Sequence, residues 1–257
     1  MSGLKINRPS KDVVELVLNR PELHNAFNAE LISDLTKAAL DLAKEQDLRL
    51  VEIRGEGPSF CAGADLNWMK SMKNYSEEEN YQDAQKLRGV FEALNQLPVP
   101  VLGLAHGHAL GGGVGLLSVC DYVLASETAL FGLTEVRLGL IPAVISPFVF
   151  AKTGESASRA YWMSGERFSA KIALAMNLVH EVVAPEQFKT REEELRRSFL
   201  MAAPHAAREA KRLIHLMKTE ARPGDETCRR IAKLRISDEG QEGMAALLEK
   251  RKPKWVK

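Results

Sequence analysis

The stretch "AHGHALGGGVGLLSVCDYVLA", Ala105 to Ala125, places Gly111, Gly112, Gly113 and Gly115 between two apolar runs. The run that leads into it, "PVPVLGLAHG", reads as a buried strand, and "CDYVLAS" reads as another. A strand-to-helix turn this bare lets backbone N–H groups approach a ligand with no Cβ in the way. It also sets those donors at the positive end of a helix dipole. Two chemistries use such a turn: cradling a phosphate and stabilising an oxyanion. The phosphate version wants GxxxxGKS/T or a well-placed GxGxxG, and "GGGVGLL" is neither. Tight packing of a helix on a strand would account for the same glycines, so this stretch alone leaves the choice open.

A second stretch, "GPSFCAGADLNWMK" (Gly57 to Lys70), puts another small-residue turn, Ala62-Gly63-Ala64, between a strand and a helix. Two bare turns, each heading a helix, can aim one N–H each at a shared point, which is what a thioester oxyanion demands. Around them, "DVVELVLNRP" and "RLVEIRGEG" alternate as strands. "AELISDLTKAALDLAKEQ" and "SEEENYQDAQKLRGVFEALNQL" carry the spacing and start signals of helices, the latter opened by Ser76 with acids in its first turn. Strand, helix, strand recurs with a period of roughly 40–50 residues, which implies a largely parallel, covered sheet in an α/β fold. After Pro185 the chain reads as helices only. The expected organisation is an α/β core over residues 1–195 and a helical C-terminal region over 196–257.

The 257 residues carry a formal net charge of +1 and are 45% hydrophobic and 27% charged, an ordinary globular composition. No overall field argues for nucleic acid or an acidic membrane as partner. The N-terminus "MSGLKINRPS" lacks an apolar core of signal-peptide length, and no run is long enough to span a bilayer. Cys61, Cys120 and Cys228 are odd in number and not at metal-ligand spacing, so reduced thiols in a cytoplasmic protein, with no metal site, are expected.

In order and spacing, "SFCAGADL", "HGHALGGG" with "CDYVLAS", and "FGLTEVRLGLIP" resemble the three signature regions of the enoyl-CoA hydratase/isomerase (crotonase) superfamily. "LNRPELHNAFN" and "EGMAALLEKRKPKW" extend the likeness over essentially the whole chain. The resemblance implies a crotonase-like spiral of ββα units with a C-terminal helical trimerisation region. It implies self-association as a trimer or dimer of trimers, and an acyl-CoA substrate, with coenzyme A entering as part of that substrate and no prosthetic group. It assigns the oxyanion hole to the N–H groups of Ala64 and Gly112. It lays coenzyme A along His24, Ala26, Ala62, Asp65 and Leu66, with Lys250 or Lys252 reaching its phosphates, often from a neighbouring subunit.

Hydratases of the superfamily usually carry two glutamates around the catalytic water. One of those positions is Glu135 here and the other is Gly115. A subset that shares this departure, and that "GLTEVRLGLIPAVISPFV" and "GVGLLSVCD" resemble, is the bacterial 3-methylglutaconyl-CoA hydratases of leucine and isovalerate metabolism. Their substrates carry a distal carboxylate. Glycine at 115 would make room for it and remove a facing negative charge, a repulsion of about 4 kcal/mol for charges about 4 Å apart at an effective dielectric constant of about 20. One carboxylate suffices for hydration if burial lifts its pKa toward working pH. His106, His108 and Arg137 lie close enough in sequence to contact the acyl group, His108 and Arg137 as partners for its carboxylate; buried, hydrogen-bonded histidines and a salt-bridged arginine are the plainer readings. The likeness leaves open an isomerase or decarboxylase on the same scaffold, or a thioester-binding protein without turnover.

Overall fold

In the computed structural model, which describes residues 3–219 and 224–256, the α/β spiral is present as expected. The N-terminal part runs β1 (Leu4–Ser10), β2 (Val13–Leu18), α1 (Ala29–Leu42), β3 (Leu50–Gly55), α2 (Leu66–Met72), α3 (Glu77–Asn95), β4 (Val101–Ala105), β5 (His108–Leu110) and α4 (Gly112–Ser118). It continues through β6 (Tyr122–Ser126), β7 (Leu130–Gly132), a 3-10 turn (Thr134–Leu138), α5 (Ser146–Ser164), β8 (Arg167–Ser169), α6 (Ala170–Ala175) and β9 (Glu181–Val183). Four helices follow: α7 (Pro185–Met201), α8 (Pro204–Thr219), α9 (Gly224–Arg235) and α10 (Asp238–Leu248).

The main sheet has the order β1-β2-β3-β4-β6-β9, with β1 antiparallel to β2 and every other pair parallel. A smaller sheet, β5-β7-β8, lies beyond the ends of these strands, and Cys61 joins it through a parallel bridge to Ala109. Three of the parallel strands therefore pass through a short extended segment of the second layer before a helix: β3 through Cys61 to α2, β4 through β5 to α4, and β6 through β7 to α5. The repeat stacks those second-layer segments side by side, so the residues just after them come together at one end of the spiral.

Alternation along the strands divides the main sheet into two apolar faces. Val14, Leu16, Leu18, Val51, Ile53, Val101, Ala105, Val123 and Ala125 join the large core under α1, α3 and α4. Val13, Leu50, Leu102, Leu104 and Leu124 face the other way and pack with Leu195 of α7. The expected boundary after residue 195 falls inside α7, because that helix covers the second face and so belongs to the packing of the core.

Glu15 and Glu52 alternate onto the same face as Val13 and Leu50, where bare carboxylates would be costly. Arg196 of α7 answers them, with its guanidinium 2.6 Å from Glu52, 3.1 Å from Glu15 and 3.2 Å from Glu192. Lys189 and Arg54 reach Glu192 as well. The three carboxylates are thus committed to three cations. Burial pushes the Glu52 carboxyl above the ordinary glutamate range, and Arg196 pulls it back only in part. No helix among the described residues is long and apolar enough to cross a membrane.

Removing one member of a buried ion-pair network leaves its partners uncompensated. Arg196→Met is expected to cost about 3–5 kcal/mol of stability, read as a lower urea midpoint at fixed protein concentration. An unchanged midpoint would show that α7 is held by apolar contact alone.

Candidate active site

Phe27 and Ala64 form a short parallel bridge in which the Phe27 N–H donates to the Gly63 carbonyl at 2.7 Å and the Asp65 N–H donates to the Phe27 carbonyl at 2.8 Å. Both bonds go to the neighbours of Ala64. Its own N–H therefore points away from Phe27 and takes no backbone partner among the described residues. Gly112 opens α4, so its N–H is one of the helix's first amides, which lack an intrahelical acceptor.

The two turns are in contact. The Cys61 N–H donates to the His108 carbonyl at 3.0 Å and the Leu110 N–H to the Cys61 carbonyl at 2.9 Å. A Cβ on Gly63 would lie 3.3 Å from the Leu110 carbonyl oxygen, and one on Gly112 would stand 2.8 Å from the Phe27 ring. Bare backbone is what lets the segments close to this distance. The arrangement provides two amide donors on adjoining turns at one end of the spiral, suited to polarising a carbonyl.

Glu135 completes it. Gly111 takes φ +49°, in the left-handed region, and its N–H holds the end of β7 through the Gly132 carbonyl at 2.8 Å. Three residues later the 3-10 turn brings Glu135 back, with Oε1 3.0 Å from where a Cβ on residue 111 would be. Its other oxygen, Oε2, is buried without a hydrogen-bond partner. Burial raises the Glu135 carboxyl above the ordinary range, opposed by its own backbone N–H. A dry carboxyl with a free oxygen beside two amide donors can exchange a proton with whatever lies between them.

The residues assigned to coenzyme A gather on one rim. His24 sits in the left-handed region (φ +50°), its carbonyl accepts from the Ala62 N–H at 2.9 Å, and its Nδ1 is 2.9 Å from Ser59 Oγ. Arg20, which drew no attention in the sequence, ties this rim together. Its guanidinium donates to the Ala26 carbonyl at 2.5 Å and to the Asp65 carboxylate at 2.6 Å. Asp65 also caps α2 through the Asn67 and Trp68 amides. Burial alone would raise that carboxyl, but Arg20 and the α2 amides outweigh it and hold it low. Leu66 projects outward, 73% exposed, at the start of α2. Lys250 lies just beyond α10, whose packing partners are α8 and α9, and Lys252 lines a cavity with Asp12, Arg49 and Trp255. Neither stands on the rim within one chain.

His108 faces His24 edge-on with ring centroids 6.4 Å apart, and its Nδ1 is buried without a partner. His106 turns away, its Nε2 2.8 Å from the Gly57 carbonyl. Arg137 reaches the far end of α5, where its Nε donates to the Ser164 carbonyl at 3.3 Å. At Gly115 the expectation of room for an acyl carboxylate is corrected. A Cβ there would be 2.4 Å from Ile145 Cγ2 and 2.9 Å from Phe91 Cε1, so the space is already filled with hydrocarbon. At the other end of α4, Lys152 donates to the Cys120 carbonyl at 2.5 Å and the Leu117 carbonyl at 3.4 Å, placing a cation at the negative end of the helix.

Residues 8–257 match the family model described as enoyl-CoA hydratase/isomerase. The mouse mitochondrial enoyl-CoA hydratase domain-containing protein 2 is 31% identical over 258 residues, covering 96% of this chain and 86% of its own. A crystal structure of an enoyl-CoA hydratase from Shewanella pealeana superposes with a TM-score of 0.92 at 34% identity, over 98% of this chain and 96% of that one. An enoyl-CoA hydratase/isomerase from Marinobacter aquaeolei matches over 100% of both chains, with a TM-score of 0.94 at 28% identity. With the fold, the paired amide donors and the match over nearly its whole length, the chain belongs to the enoyl-CoA hydratase/isomerase family.

Proposed function

We propose that this chain hydrates the double bond of an enoyl-CoA thioester and removes water in reverse, with Glu135 as the single acid and base. The carrying observation is the partnerless Oε2 of Glu135 beside the adjoining Ala64 and Gly112 turns. The two amides take the thioester oxygen, which makes the β-carbon electrophilic and the α-carbanion tolerable. Water gives a proton to the Glu135 carboxylate as its oxygen bonds the β-carbon. The protonated carboxyl then returns that proton to the α-carbon of the enolate, and the thioester carbonyl re-forms. The proton gained is the proton given, so no second carboxylate is required.

The acyl pair we assign is 3-methylglutaconyl-CoA and 3-hydroxy-3-methylglutaryl-CoA. The likeness of "GLTEVRLGLIPAVISPFV" to the hydratases of that pair supports it. His108, with its buried and unpaired Nδ1, is the polar group we assign to the distal carboxylate. Coenzyme A lies along His24, Ala26, Ala62, Asp65 and Leu66 in this reading, and Lys250 contributes from a neighbouring copy. Self-association as a trimer or dimer of trimers is supported by the exposed apolar residues Ile214, Ile231, Ile236, Leu247 and Leu248 on and beside α8 to α10.

Incubating the protein with 3-methylglutaconyl-CoA is expected to yield a product heavier by one water in mass spectrometry, and Glu135→Gln is expected to reduce kcat/KM by at least about 100-fold. Substrate recovered with a moved double bond would replace hydration by isomerisation. Ionised Glu135 is the form that accepts the proton, and its pKa is raised. Hydration is therefore expected to fall as pH decreases, along a limb lying above the ordinary glutamate range. A rate that stays flat through that range would remove Glu135 as the base.

A further inference from the structure

Positions 111 and 115 are one helical turn apart, and the Gly115 N–H donates to the Gly111 carbonyl at 3.1 Å. Gly111 precedes α4 with left-handed backbone, so the two positions are neighbours at the head of the helix. A Cβ at the first would meet Glu135 Oε1, and one at the second would meet Ile145 and Phe91. The hydrocarbon therefore packs on α4 one turn after the residue that Glu135 touches.

Ile145 is 3% exposed and Phe91 is fully buried. Ile145 immediately precedes α5, and its carbonyl accepts from the Phe148 and Val149 amides at 3.1 Å each, so the first turn of that helix holds its backbone. Phe91 is fixed between Phe27 and Phe148, with ring centroids 6.2 and 6.0 Å away. Phe27 is the same ring that lies against Gly112. The wall and the start of α4 are thus parts of one packed unit.

We propose that Ile145 is a specificity-determining residue: backed by Phe91, it closes the acyl site just beyond Glu135 and restricts the protein to short acyl chains. This rests on the acyl-CoA reading above and adds to it the residue that ends the pocket. An acyl group whose β-carbon lies beside Glu135 runs into branched hydrocarbon within a turn of helix. A rigid apolar wall rejects additional methylenes by shape, and truncating it should admit them.

The test measures binding of butyryl-CoA and octanoyl-CoA by calorimetry. Both thioesters are saturated and cannot be hydrated, so the readout does not depend on turnover. The parent should prefer butyryl-CoA, and Ile145→Ala should shift the affinity ratio toward octanoyl-CoA by about tenfold or more. A second variant, Gly115→Ile with Ile145→Gly, refills the wall from the α4 side and should return the ratio to that of the parent. An unchanged ratio in folded Ile145→Ala overturns the proposal, as does a double variant as permissive as Ile145→Ala. If the parent binds neither thioester, the acyl-CoA reading itself fails and this proposal falls with it, a result distinct from an unchanged ratio.

Discussion

The site depends on the contact between Glu135 and the backbone of Gly111. The carboxyl occupies space that any side chain at 111 would need, and the left-handed φ there independently favours glycine. Gly111 in turn anchors β7 through the Gly132 carbonyl, and β7 leads directly into the 3-10 turn that carries Glu135. The loop therefore closes on itself: one glycine aligns the strand that delivers the acid and vacates the volume the acid enters. The adjacent residue, Gly112, then begins α4 with its amide unused inside the helix.

Two buried carboxylate systems in this chain serve opposite ends. Around Arg196, every acid has a cation within salt-bridge distance, and the network fastens α7 across the sheet. Glu135 meets no cation among the described residues, and its Oε2, like Glu192 Oε2 in the network, is buried without a hydrogen-bond partner. Burial raises the carboxyl in both, at Glu52 against the pull of Arg196 and at Glu135 against only its own backbone N–H.

The glycine turns and the alternating strands were legible in the sequence because both are local. A bare turn after a strand has few uses, and period-two alternation places whole faces at once. Glu135 stands out in the sequence through its motif, and the structure adds that its Oε2 is buried without a hydrogen-bond partner. What stayed hidden is the set of contacts across long separations. Arg20 braces Ala26 and Asp65, and nothing local distinguishes it from a surface arginine. Ile145 fills the space above Gly115 from thirty residues away, and so the glycine looked like an opening when it is a packed position. Likewise the expected boundary divides α7 after residue 195, and only the second apolar face of the sheet, where Phe199 and Leu200 pack with Leu195, shows that the rest of the helix belongs to the core.

The fit of Ile145 over Gly115 also bears on how this site can change over generations. A substitution at 115 that adds even a methyl group meets Ile145 at 2.4 Å, and one that shortens Ile145 first leaves a void over α4. Either single step passes through a less stable protein, although the two together exchange one filled wall for another. The pair is epistatic, and lineages with glycine at one position and a bulky aliphatic at the other will tend to stay there.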